Sequence, residues 1–185
     1  MSLLTIAFPT YKRPSRIKDA VDDTLKLDCN EIEVIVCDNN EDYKTRGLLS
    51  SIKDFRFKYY RNDKNLGFCG NFKSCIMNAK GKFVLIVSDE DRVNHSAIYD
   101  ILNIIKENIR GGQQQISEII SGVAYIEEQD RYYVAPPKNK NKFLPPLEAK
   151  KHPLYKLLRS YISGFLFNTK IAQDIYINKI RCHTT

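Results

Sequence analysis

Residues 83–92, FVLIVSDEDR, place five apolar side chains in a row, then one serine, then three carboxylates in consecutive positions. A short apolar run rich in β-branched residues reads as a strand buried on both faces, and such strands belong to parallel sheets covered by helices. Neighbouring carboxylates repel, and each raises the other's pKa, unless a cation neutralises them. A buried strand thus ends in charge that is costly to assemble, and both the fold and the function turn on how that cost is met.

Working outward, strand and helix signals alternate with short connections. LLTIAF (3–8) reads as a first strand, and after Pro14, suited to a helix's first turn, Ile17, Ala20, Val21, Thr24 and Leu25 fall on one helical face. IEVIVCD (32–38) is a second buried strand ending in an acid, a polar helix is expected near 42–53, and FRFKYY (55–60) is a third strand. The spacing of Phe72, Cys75, Ile76 and Ala79 predicts a helix ended by Gly81, and KFVLIV (82–87) is the fourth strand. Ile98, Ile101, Leu102, Ile105 and Ile109 share a face of the next helix, which Gly111 and Gly112 close. Beyond it SEIISGVAYIE and RYYVAP are expected strands, PPKNKNKFLPP a polar loop, HPLYKLLRSY a short helix and ISGFLF a last apolar run. The expected class is α/β, with a mostly parallel sheet and helices on both faces.

The 185 residues, 43% hydrophobic, suffice for one domain with its own core and exclude disorder throughout. Of the formal charge of +7, the stretch from Lys138 to Arg159 supplies +6, from six Lys and one Arg against Glu148. That marks a local basic face. The five cysteines are odd in number and form no CxxC pair, and His95, His152 and His183 are widely separated, so free thiols are expected and zinc is not. No apolar run approaches the ~20 residues that span a bilayer, and MSLLTIAF lacks a basic start and is short for a signal segment. A cytoplasmic protein is expected, with peripheral contact at the membrane's inner face through Lys138 to Arg159.

In open α/β sheets ligands bind beyond the carboxyl ends of the strands. Here the first strand runs into Pro9, Thr10, Tyr11, Lys12 and Arg13, the second ends in Asp38, Asn39 and Asn40, and the fourth in Asp89, Glu90 and Asp91. Adjacent strands would bring these ends within reach of one ligand. If the chain stays extended, Asp89 and Asp91 point to the same side, and a hard divalent ion such as Mg²⁺ or Mn²⁺, shared with a diphosphate, resolves their repulsion. The plainer alternative is that D-x-D arises by chance and that acids before a helix gain about 0.3 to 1 kcal/mol from its dipole with no further role. Likewise CDNNED makes a good turn, and FPTYKR a plain entry to a helix.

Taken in order, these residues resemble family 2 glycosyltransferases of the GT-A fold. LTIAFPTYKR is similar to the family's opening strand, IEVIVCDNN to its second strand with a nucleotide-binding aspartate, and NLGFCGNFKSCIMNAKGKFVLIVSDED to its N-x-G, helix, A-x-G and D-x-D series, over residues 3–93. SGFLFNTKI is more loosely similar to the segment before the acceptor-site helix. The resemblance implies a nucleotide and metal half at 1–93 and a partial acceptor half at 94–185 with a basic loop at 136–153. It implies a UDP-sugar donor, a saccharide or lipid-linked acceptor, inversion, and Mn²⁺ or Mg²⁺. Within it, Pro9 and Tyr11 flank the base, with Thr10 beside them; Asp38 accepts from a pyrimidine ring N–H, Asp89 lies near the ribose and the metal, and Asp91 coordinates the metal. Arg13 and Arg61 contact phosphate or ribose.

An inverting transfer needs a base for the acceptor hydroxyl, and no acid follows Asp174. Glu127, Glu128, Asp130 and Asp174 match no motif, so the catalytic residue is unassigned, and a truncated chain that binds donor without transferring it is one expectation. Two rivals remain. In a haloacid-dehalogenase-like phosphatase, Asp89 would be nucleophile, Asp91 general acid and Ser121 the second motif. In a basic binding module, Lys138 to Arg159 would meet nucleic acid or an anionic membrane, although no nucleic-acid partner is expected on the main reading.

Overall fold

The structure of the chain is a computed structural model, and it describes residues 2–111, 118–120, 124–126, 131–133 and 165–178. Strands β1 (Leu4–Thr10), β2 (Ile32–Asp38), β3 (Phe57–Arg61) and β4 (Phe83–Ile86) alternate with helices α1 (Pro14–Leu25), α2 (Lys44–Leu49) and α3 (Gly67–Asn78). After α4 (His95–Gly111) come β5 (Glu118–Ile120), β6 (Ala124–Ile126), β7 (Arg131–Tyr133), β8 (Phe165–Asn168) and α5 (Thr169–Asn178). The main sheet has the order β3-β2-β1-β4-β8-β5, and β6 pairs with β7 separately. β1 to β4 are mutually parallel, and β8 runs antiparallel to both β4 and β5.

Alternation along each strand assigns the two faces. Leu4, Ile6 and Phe8, Ile32, Val34 and Val36, and Phe83, Leu85 and Val87 pack with α1, α2 and α4 through Ile17, Val21, Leu49, Ile98, Leu102 and Ile105. The intervening Ala7, Ile35, Cys37, Val84 and Ile86 pack with α3 and α5 through Cys75, Ile76 and Ala172. Nearly all side chains of β1, β2 and β4 thus leave water on one face or the other, whereas Lys58 of the edge strand β3 is exposed, which is why those three strands read as apolar runs.

The elements depart from the sequence reading mainly at their ends. β1 continues through Pro9 and Thr10, pairing with Cys37 and Asp38, whereas its pairing with β4 stops at Ala7 and Ile86. Odd-numbered groups of β1 face β4, as in the bond from the Val87 N–H to the Ala7 carbonyl. The donor that Pro9 lacks therefore falls where no partner strand remains, and proline is tolerated in a central strand. β3 starts at Phe57 because Asp54 turns the chain, accepting from the Arg56 N–H at 2.8 Å.

Two clamps hold the opposite edge of the sheet. The Arg56 guanidinium donates to the Leu25, Leu27 and Cys29 carbonyls and to Asp54, capping the end of α1. Gly81 lies against β1, where a Cβ would meet the Thr5 backbone N at 2.6 Å. Its N–H donates to the Thr5 hydroxyl, which in turn donates to buried Glu33 at 2.8 Å.

Candidate functional site

Because β2, β1 and β4 are neighbours in that order, their carboxyl ends converge at one rim, and Thr10 joins all three. It is the register partner of Asp38, its hydroxyl donates to Asp89 Oδ2 at 2.6 Å, and its carbonyl accepts from the Asn39 N–H at 3.0 Å. Thr10 and Asp38 continue the alternation of the α1 face, so the acids gather beneath the start of α1.

Asp38 is fully buried. Its Oδ1 accepts from the Asn40 N–H at 2.8 Å and its Oδ2 from the Tyr59 hydroxyl at 2.8 Å. Burial pushes its pKa up, and the donors from Asn40, Tyr59 and Thr45 oppose that shift. Burial and the Asp38 charge likewise push the Tyr59 phenol well above its ordinary value.

The D-x-D segment is not extended. A turn bonds the Asp91 N–H to the Ser88 carbonyl at 3.1 Å, so the expectation that Asp89 and Asp91 share one side of a straight chain fails. Asp89 turns inward at 5% exposure while Glu90 and Asp91 are exposed. Much of the neutralisation comes from within the chain: Arg13 meets Asp89 Oδ1 at 3.0 Å and Glu90 at 2.9 Å, and Arg16 meets Glu90 at 2.9 Å. Arg16 carried no signal in the sequence, because its role comes from where α1 begins. In the phosphatase alternative Asp89 is nearly buried with an oxygen on Thr10 and the other on Arg13, and Ser121 lies outside the described residues.

The rest of the rim is an asparagine network that sequence reasoning missed. Asn62 Nδ2 donates to Asn39 Oδ1 at 2.7 Å and to Asn71 Oδ1 at 3.0 Å, and Asn71 donates to the Thr10 carbonyl at 3.2 Å. Asn39 also donates to the Gly67 carbonyl at 3.0 Å, tying the start of α3 to β2. The available signal was Asn71 itself, a polar residue four before Cys75 on the buried face of α3. On the other flank Lys12 has a left-handed backbone, φ 58°, and its N–H donates to Asn40 Oδ1 at 2.8 Å. A non-glycine residue held there is strained, a feature that clusters at functional sites. Tyr11 is 40% exposed with the Lys12 ammonium 5.0 Å from its ring centre, and Arg61 lies 4.7 Å from that of Tyr43.

Among the described residues no group of three His, Cys, Asp or Glu side chains gathers as a metal cage. Mg²⁺ and Mn²⁺ do not need one when substrate phosphate completes the shell, and the hard oxygens of exposed Asp91 and anchored Asp89 suit such an ion. Asp174 is elsewhere: its neighbour Gln173 donates to the Ile76 and Ala79 carbonyls at the end of α3, remote from the rim. Glu127, Glu128, Asp130 and Lys138 to Arg159 lie outside the described residues. No helix among the described residues is long and apolar enough to cross a membrane.

Comparisons with known proteins agree with this architecture. The family model described as Glycosyl transferase family 2 matches residues 5–172. The Escherichia coli UDP-Glc:alpha-D-GlcNAc-diphosphoundecaprenol beta-1,3-glucosyltransferase WfaP is 26% identical over 91 residues, 49% of this chain and 36% of that protein. Staphylococcus aureus TarS 1-349, solved in complex with UDP-GlcNAc, superposes with a TM-score of 0.60 at 18% identity, covering 94% of this chain and 47% of that one. The mannosyltransferase PcManGT from Pyrobaculum calidifontis, solved with GDP-Man and Mn²⁺, gives a TM-score of 0.54 at 16% identity over 66% of this chain and 36% of its own. The matched part is less than half the length of each of these proteins. The chain belongs to glycosyl transferase family 2 and has the GT-A fold.

Proposed function

We propose that this family member is the nucleotide-sugar-binding part of an inverting glycosyltransferase of polysaccharide assembly. It takes a UDP-sugar with Mn²⁺ or Mg²⁺ and delivers the sugar to a saccharide or lipid-linked acceptor. The observation that carries the reading is the placement of Thr10, in register with Asp38 and hydrogen-bonded to Asp89, which puts a carboxylate from each flanking strand within one ligand's span. The UDP-glucose donor and diphosphoundecaprenol-linked acceptor in the name of WfaP, and the UDP-GlcNAc bound by TarS, support the choice of donor and acceptor. The Mn²⁺ bound by PcManGT supports the metal.

In this reading Pro9 and Tyr11 flank the uracil, and Thr10 fixes the strand end between them. Asp38 accepts the ring N–H through a lone pair that its protein donors leave. Asp89, held by Thr10 and Arg13, faces the ribose and shares the metal with Asp91, which provides the exposed hard ligand; Arg13 attends the diphosphate. A bound divalent ion acts as Lewis acid on the leaving diphosphate. No described carboxylate has the position of the acceptor base, so that role stays unassigned.

Calorimetric titration with UDP, with and without Mn²⁺, tests the reading. Binding that requires Mn²⁺ and is abolished in Asp91→Ala is expected. Binding of equal strength without metal would overturn the Asp91 assignment, and cleavage of aryl phosphates by an Asp38→Ala variant would favour the phosphatase.

A further inference from the structure

We infer that Arg13, backed by Arg16, is a built-in counterion that keeps a bare divalent ion off the D-x-D turn and yields when a nucleoside diphosphate arrives with the ion. The inference rests on the metal and nucleotide reading above and adds to it the order in which the two components bind.

Asp89 has two contacts of unequal strength. Its Oδ2 takes the hydroxyl of buried Thr10 at 2.6 Å, and its Oδ1 takes the guanidinium of Arg13 at 3.0 Å. The backbone of Thr10 is fixed by its place in β1, which keeps its hydroxyl at hand for Oδ2. Arg13 is 46% exposed, and Arg16, which shares Glu90 with it at 2.9 Å, is 64% exposed. Asp89 itself is 5% exposed, so its contact with Arg13 is open to solvent from the arginine side only, and exchange takes place from that side. An incoming cation therefore gains access to Asp89 on the Oδ1 side, and does so by replacing Arg13.

Charge decides when that exchange is favourable. Asp89 and Glu90 already face two guanidinium groups, so a divalent ion alone overfills the cluster with positive charge. With a diphosphate the balance reverses, because the anion accepts both the metal and the released guanidinium, whose fork suits phosphate oxygens. Metal and nucleotide then strengthen each other's binding, and by linkage the factor is the same in both directions.

The test is a Mn²⁺ titration of the 185-residue chain, read by the electron paramagnetic resonance of free Mn²⁺, with and without saturating UDP. Wild-type protein is expected to bind Mn²⁺ about tenfold or more tightly with UDP present. Arg13→Gln is expected to raise the affinity for bare Mn²⁺ about three- to tenfold, the worth of one nearby unit charge at high effective dielectric, and to shrink the enhancement by UDP. Arg16→Gln should act in the same direction more weakly, and Arg13→Lys, which keeps the charge, should leave bare Mn²⁺ affinity near wild type. If Arg13→Gln leaves that affinity unchanged or lowers it while wild type still binds Mn²⁺ with UDP, the counterion role is overturned and the site reading survives. If wild type binds no Mn²⁺ even with UDP, the site reading fails and the counterion role fails with it.

Discussion

The Thr10 hydroxyl donates to Asp89 Oδ2 across 2.6 Å, joining the end of β1 to the turn after β4. Both residues are nearly buried, so Thr10→Val, which keeps the shape and removes the donor, leaves a carboxylate oxygen unsatisfied where water reaches it poorly. Loss of about 1 to 3 kcal/mol of stability is expected from chemical denaturation. A variant as stable as wild type would show that the bond is not formed in solution.

Asp38 predicts a pH dependence of definite sign. Its folded pKa is raised, chiefly by burial, so the folded state holds that proton more tightly than the unfolded state. The contribution to stability is fully present below the unfolded carboxylate value of about 3.9 and is lost as pH rises through the raised folded pKa. Asp38→Asn removes this loss. The stability of the variant relative to wild type should rise as pH climbs above about 4, and a flat or falling difference in denaturation midpoints would contradict the assigned environment.

Two glycines separate steric from conformational demand. At Gly81 an added Cβ meets the Thr5 backbone N at 2.6 Å and the Leu4 carbonyl carbon at 2.8 Å, so Gly81→Ala should cost about 1 to 3 kcal/mol through overpacking. Gly67 has φ +67° and open space around it, so Gly67→Ala should cost about 1 to 2 kcal/mol from backbone conformation alone. Gly67→Asn, which tolerates that conformation better, should recover part of this. Thermal denaturation of the three variants is the check.

Arg56→Ala should destabilise the chain by about 2 to 3 kcal/mol, because its charge-assisted bonds to three carbonyls at the end of α1 have no substitute. Arg56→Lys should rescue little, since an ammonium lacks the planar fork. Asp54, whose pKa its partner Arg56 lowers, has the opposite sign from Asp38: its contribution is present above the ordinary carboxylate range and is lost as pH falls through the lowered folded value. Asp54→Asn should therefore narrow its deficit against wild type in acid.

The strands and the α/β class were legible where chemistry is local. LLTIAF, IEVIVCD and KFVLIV are mostly apolar because both faces are covered, Thr5 and Glu33 being buried as a hydrogen-bonded pair, and their polar ends mark the rim. What stayed hidden depends on tertiary placement. The arginines that meet Asp89 and Glu90 come from the start of α1, some 75 residues earlier, and Tyr59 reaches Asp38 only because β3 pairs beside β2. Asn62 looks like an ordinary loop residue until the amide of Asn39 is found beside it, and Asn71 is marked only by its place on the buried face of α3, its partner at the Thr10 carbonyl being hidden. The straight D-x-D was misread for a related reason: strand pairing ends at Ile86, and beyond it nothing keeps the chain extended.

The central claim is that one ligand spans the ends of β2, β1 and β4. A crystal structure of the chain with UDP and Mn²⁺ tests it most directly. The account predicts uracil beside Asp38 and Tyr11, and the ion on Asp91 with Arg13 swung from Asp89 toward the diphosphate. UDP bound away from Asp38, or an ion bound without contact to Asp89 or Asp91, would contradict it.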